Sequence, residues 1–344
     1  MEKLDLIGHK SQRAHLYKAW KKGKIAHAWL FIGPKGIGKF SLARSYAQFI
    51  VKPSPQNSLL GDESDEFPFQ QYSFQDETPN IRIIHPDISD ENKTKDITIE
   101  AIRQIQQYLR LTTMDGNWKI IIIDEASRLN RNAANALLKI LEDPPQKTLF
   151  FLIAHNLGKL PVTIRSRCQK LRFHPVDDEN ILAYIQKKSP QTSPAIQELI
   201  VSLSKGSFDR AQTFIDFDIA DLYHELLTLL DNTNKESTCH MISFCDKMAA
   251  KKNEALYQYV EEIFQILCQR FLTYLVVNST PHNTPELENS VPEEKQYFEQ
   301  LAKRFTIGDW LTVFDEINNT FRQQRSLHLE KKQTMITTLS LLQG

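Results

Sequence analysis

Five short apolar runs, around residues 28–32, 81–85, 119–123, 149–154 and 170–173, punctuate the first half of the chain, and apolar residues between them recur at helical spacing. Ala28-Trp29-Leu30-Phe31-Ile32 has the aromatic and branched content of a buried strand. Ile120 to Ile123 are consecutive isoleucines, apolar on both faces of a pleat, which predicts a central parallel strand covered on either side. Leu42, Tyr46, Phe49 and Ile50 predict a helix over 39–51, and Ile99, Ile102, Ile105 and Leu109 one over 98–110. Another spans 130–142 and stops at Pro144-Pro145, because the residue before a proline is pushed out of the helical region. Strands alternating with helices predict an α/β fold built on a parallel sheet. After about residue 177 the pattern changes. Short helices are expected through Ile181 and Ile185, through Ile196, Leu199 and Leu203, and from Ser207. Beyond 218 every strong pattern is helical, including Leu256 to Leu275, with a break containing Pro and Asn near 279–292.

The turn that leaves the first apolar run carries candidate chemistry. Gly33-Pro34-Lys35-Gly36-Ile37-Gly38-Lys39-Phe40 matches the phosphate-binding pattern G-x-x-x-x-G-K, but Phe40 stands where Ser or Thr should follow. Glycines let successive backbone N–H groups curl around an anion, the following helix points its N-terminus at it, and Lys39 would reach the β- and γ-phosphates. Phe40 supplies no hydroxyl for Mg²⁺. Ser41 does not replace it, since one helical step turns its side chain by about 100°. At the end of the isoleucine run, Asp124 and Glu125 take the positions of a metal-holding acid and a residue that polarises water.

The residues after Glu125 extend the pattern. Asp124-Glu-Ala-Ser-Arg-Leu-Asn-Arg-Asn-Ala-Ala-Asn-Ala-Leu-Leu-Lys-Ile-Leu-Glu-Asp-Pro-Pro145 closely resembles the bacterial clamp-loader ATPase subunits of the AAA+ class. Leu160 to Gln169 resembles the segment carrying their Ser-Arg-Cys motif, and His27 to Lys39 and His85-Pro86-Asp87 are further matches. The resemblance is specific over roughly residues 5–175. It implies an AAA+ P-loop-like α/β domain over 1–175, a small helical lid over 176–217 and a helical oligomerisation collar over 218–344. It also implies that Arg167, in Ser166-Arg167-Cys168, is offered across a subunit boundary to a neighbour's ATP, with Arg165 as its rival. Within the family, three departures resemble the delta-prime type of the DNA polymerase III clamp loader more than the hydrolysing gamma/tau type. Phe40 is the first. His155 falls near the Thr expected after the strand 149–154. In Gly206-Ser207-Phe208-Asp209-Arg210, Asp209 holds the position of a sensor arginine and Arg210 is displaced by one, onto another helical face. These departures predict no hydrolysis at the chain's own site, where Glu125 becomes vestigial, although the glycines, Lys39 and Asp124 remain compatible with ATP or ADP held without turnover. The partners so implied are gamma/tau ATPase subunits and a delta subunit, with the sliding clamp and primed DNA reached through the complex. An active gamma/tau-type ATPase and a purely structural AAA+ scaffold are the competing expectations.

Composition narrows this further. The 344 residues carry 42 basic and 42 acidic side chains, so no global field draws the chain onto DNA. Cys168, Cys239, Cys245 and Cys268 all follow both motifs and lack the clustering of a tetrahedral site; no zinc is expected, although relatives place a four-cysteine module between the motifs. Residues 53–80 occupy that place instead, with six acidic side chains and neither Lys nor Arg, which predicts a solvated insertion. The absence of a long apolar segment or signal pattern predicts a cytoplasmic protein with no membrane partner.

Overall fold

The computed structural model describes residues 8–51, 78–86, 96–110, 117–231, 236–250, 257, 259–279, 292–327 and 329–343. The chain divides into two compact units, Met1–Asn180 with Gly206–Phe208, and Ile181–Lys205 with Asp209–Gly344. Most of the acidic insertion and the break near 279–292 lie outside the described residues.

The first unit runs α1 (Lys10–Lys21), β1 (Ala28–Ile32), α2 (Lys39–Val51), β2 (Ile81–Ile84), α3 (Ile99–Arg110), β3 (Lys119–Ile123), α4 (Arg131–Glu142), β4 (Thr148–Ala154), α5 (Val162–Arg167) and β5 (Gln169–Arg172). The strands form one parallel sheet in the order β2-β3-β4-β1-β5, the α/β arrangement expected from the alternating pattern. Every residue of β3 and β4 is buried. Such strands suit the sheet centre, where helices cover both faces, and fully burying one isoleucine contributes about 1.5–3 kcal/mol. One face holds Leu30, Ile121, Ile123, Phe150 and Leu152 against Ile102 and Ile105 of α3 and Leu137 and Leu141 of α4. Helix α4 starts where expected because the Asn130 side chain accepts a hydrogen bond from the Ala133 N–H at 2.8 Å.

Strand order places the site. All five strands end at one edge, and β4 lies between β1 and β3. The loop after β1, the residue after β4 and the acids after β3 therefore line up along that edge.

The second unit is helical among its described residues. It contains most of α6 (Asp178–Lys188), then α7 (Pro194–Ser204), most of α8 (Phe208–Asp216), α9 (Ile219–Asp231), α10 (Glu236–Ala249), α11 (Val260–Ser279), α12 (Pro292–Leu301), α13 (Ile307–Leu327) and α14 (Lys331–Gln343). Phe271 packs edge-on against Trp310 at 4.5 Å, and the indole N–H donates to the Cys268 carbonyl at 3.1 Å. Arg270 pairs with the buried Glu294 at 2.8 Å, which also accepts from the Tyr223 hydroxyl. A buried acid with both a cation and a hydroxyl partner fixes how α9, α11 and α12 meet. Cys168, Cys245 and Cys268 are buried and Cys239 is exposed. No described helix is long and apolar enough to cross a membrane.

Candidate functional site

The phosphate loop starts at Gly33, where a Cβ would sit 2.5 Å from the Phe173 carbonyl oxygen; no other residue fits that approach. Gly38 adopts φ +94°, a second position that side chains avoid. Between them Lys35 reaches outward, Ile37 is buried and Pro34 is exposed. Lys39 is only 2% exposed, and its amine donates to the carbonyls of Gly33, at 2.8 Å, and Pro34. His9 Nε2 donates to the Ile37 carbonyl at 2.6 Å, with the ring edge-on to Phe173, so the segment before α1 braces the loop. Burial, with help from Lys39, lowers the His9 pKa.

The acids stand across from this loop. Asp124 Oδ1 accepts from the Glu125 N–H at 3.0 Å, and Oδ2 lies 3.5 Å from His85 Nδ1. The Phe40 ring packs on that imidazole, centroids 5.2 Å apart. Glu125 has left-handed backbone (φ 48°) and is held by two cations, Lys35 at 3.2 Å and Arg128 at 2.8 Å. Burial works to raise both carboxyl pKa values, but His85 and the Glu125 N–H overcome it at Asp124, and Lys35 and Arg128 at Glu125; both end below their ordinary values. His155, after β4, feels Lys39 on one side and both acids on the other. Burial and Lys39 lower its pKa, and its buried Nδ1 has no hydrogen-bond partner among the described residues.

The glycine loop and Lys39 fit a phosphate group. The surroundings do not fit Mg²⁺. Phe40 offers no oxygen, its ring lies on the imidazole that faces Asp124, and Glu125 is already paired twice. No group of three or more potential metal ligands occurs among the described residues.

Arg167 lies elsewhere. It ends α5 and precedes β5, whose Gln169 pairs with Trp29 near the start of β1, so it sits at the edge where strands begin. The phosphate loop leaves from the edge where they end, about 10 Å away along β1 alone. The Arg167 guanidinium donates to Glu142 Oε1 at 2.6 Å and to the Thr163 carbonyl at 3.2 Å. Arg165, its rival, has a buried Nε with no hydrogen-bond partner among the described residues. Cys168 next door is buried, which pushes its thiol up to about 12. Arg210 pairs with Glu262 and lies over the Tyr259 ring at 4.8 Å, wholly within the second unit. The sequence places Lys35 in the phosphate loop but does not pair it with Glu125, and it assigns no site role to His85 or Glu142. His85 was visible as a motif match, whereas nothing in the local pattern ties Glu142 to Arg167.

A family model described as "DNA polymerase III, delta subunit" matches residues 8–177. The gamma subunit of DNA polymerase III from Buchnera aphidicola of Schizaphis graminum is 30% identical over 71% of this chain and 64% of its own length. Residues 8–177 of this chain are thus similar to the clamp-loader subunits of DNA polymerase III. Two more family members illustrate the spread. The tau/gamma subunit of Haemophilus influenzae is 27% identical over 86% of this chain and 45% of its own length. The delta' subunit of Pseudomonas aeruginosa is 30% identical over 54% of this chain and 55% of its own length. The chain thus spans between about half and two-thirds of these three family members' lengths. A gamma subunit-related protein of Thermotoga maritima superposes with a TM-score of 0.44 at 17% identity, covering 95% of this chain and 98% of that one.

Proposed function

We propose that this chain is a delta-prime-type subunit of the DNA polymerase III clamp loader: it does not hydrolyse ATP at its own loop but lends Arg167 to the ATP site of a neighbouring gamma/tau subunit. In that role it assembles with gamma/tau and delta subunits and helps place the sliding clamp on primed DNA. Residues 176–217 would serve as the lid and residues 218–344 as the collar.

One observation carries the reading: the arginine and the phosphate loop stand at opposite edges of the same sheet. A guanidinium there has no route to its own loop but is well placed for another subunit's. Beside a transferring phosphoryl group it would stabilise charge developing in the transition state, worth on the order of 10³–10⁵ in rate. The phenyl–imidazole pair beside Asp124 supports silence at the chain's own loop.

The second reading, an active ATPase, draws on relatives named gamma and tau/gamma. The two part on one experiment. DNA- and clamp-stimulated ATP hydrolysis is measured in the reconstituted complex with wild-type chain and with Arg167→Ala, beside hydrolysis by the chain alone. A large loss in the complex, with assembly intact and none by the chain alone, is expected. Unchanged hydrolysis in the complex would overturn the finger, and turnover by the chain alone would favour an ATPase.

A further inference from the structure

Glu142 is the last residue of α4, and Pro144-Pro145 ends the helix just beyond it. A carboxylate there faces the negative end of the helix dipole, which disfavours it. Its partner is Arg167, at 2.6 Å, with side chains 46% and 36% exposed respectively. An ion pair this open adds little to the stability of a fold. The two effects oppose each other, so fold stability does not explain the acid. What the pair does is geometric. Glu142 and the Thr163 carbonyl hold two N–H groups of the guanidinium, one from a neighbouring helix and one from Arg167's own helix a turn earlier. The side chain is pinned by its near edge, and the other N–H groups of the planar fork face away from these anchors.

We infer that Glu142 is a positioning residue for Arg167, holding the guanidinium in the one orientation that meets a neighbouring subunit's phosphates. This rests on the proposed role of Arg167 in trans. Without the anchor, a long arginine regains rotamer freedom that must be lost again in each catalytic encounter. Glu142 touches neither nucleotide nor reacting atoms; it acts through Arg167.

The test is steady-state ATP hydrolysis by the full complex on primed DNA and clamp, with Glu142→Gln, Glu142→Ala, Arg167→Ala and the double variant Glu142→Ala/Arg167→Ala. Glu142→Ala should lower kcat about 10- to 100-fold, the cost of a misplaced catalytic group, with KM changed less than about twofold. Glu142→Gln keeps an acceptor oxygen and should retain more activity than Ala. The double variant should be no slower than Arg167→Ala alone, because the acid acts only through the arginine. Full activity of Glu142→Ala beside a large loss in Arg167→Ala overturns the positioning role and leaves the finger standing. A faster Glu142→Gln overturns it too, by making the acid a competitor of phosphate. No loss in Arg167→Ala overturns both. Should Glu142→Ala fail to assemble, the ranking of Glu142→Gln against wild type decides.

Discussion

Phe40 and His85 together decide what the phosphate loop can do. Supplying the missing hydroxyl leaves the imidazole 3.5 Å from Asp124, so Phe40→Thr should remain without hydrolysis above background in a purified-chain assay. A rise with that single change would show that His85 is no obstacle. The same neighbourhood makes stability depend on pH. Burial lowers the pKa of His9 and His155 below their ordinary 6.5, so the folded chain keeps both neutral while the unfolded chain takes up protons as pH falls. Asp124 and Glu125 lie below their ordinary 3.8 and 4.5, which makes their stabilisation present above those values and lost as pH drops through the folded ones. Urea unfolding should therefore show stability declining in two stages, first below about pH 6.5 and again below about pH 4.5. His155→Asn should make the first stage shallower, leaving the part due to His9, and an unchanged profile would show that His155 keeps the proton when folded.

At the scale of elements, the isoleucine strand is the most exposed to substitution. Ile122 is fully buried in β3 between β2 and β4, and Ile122→Ala should cost about 2–5 kcal/mol in urea unfolding. A cost below about 1 kcal/mol would mean that the sheet collapses around the gap. Strands and helices of the first unit were legible because each wears one period: apolar on both faces for β3 and β4, every third or fourth residue for α3 and α4. The strand boundaries moved by one residue at β2, ending at Ile84, at β4, starting at Thr148, and at β5, which runs Gln169–Arg172. Helix α1 escaped notice since Leu16 is its one fully buried residue, leaving little stripe to read. The site was half legible. Glycines and acids announce themselves by type and spacing, but Lys35 to Glu125 and Glu142 to Arg167 are pairs made by tertiary approach across 90 and 25 positions, which no local period encodes.

For the whole molecule, parallel strands give the sheet a sending edge and a receiving one. If the proposed role holds, a ring of such subunits needs only a head-to-tail arrangement for one subunit's arginine edge to face the next one's phosphate-loop edge. In that proposed ring, a silent loop would interrupt the chemistry at one place without removing the arginine offered to the neighbour.

The burial of three of the four thiols has a practical consequence. Burial raises the thiol pKa to about 12 at Cys168, about 11 at Cys245 and about 12 at Cys268, so at neutral pH they hold almost no thiolate and give reagents no approach. Cys239, exposed on α10, differs from all three. A colorimetric thiol titration should find one fast-reacting group in the native chain and four after unfolding; a second fast group would reveal local opening of a buried helix. The natural sequence therefore accepts a single dye at a known address, and the chain's motions during assembly can be followed by fluorescence without altering a residue.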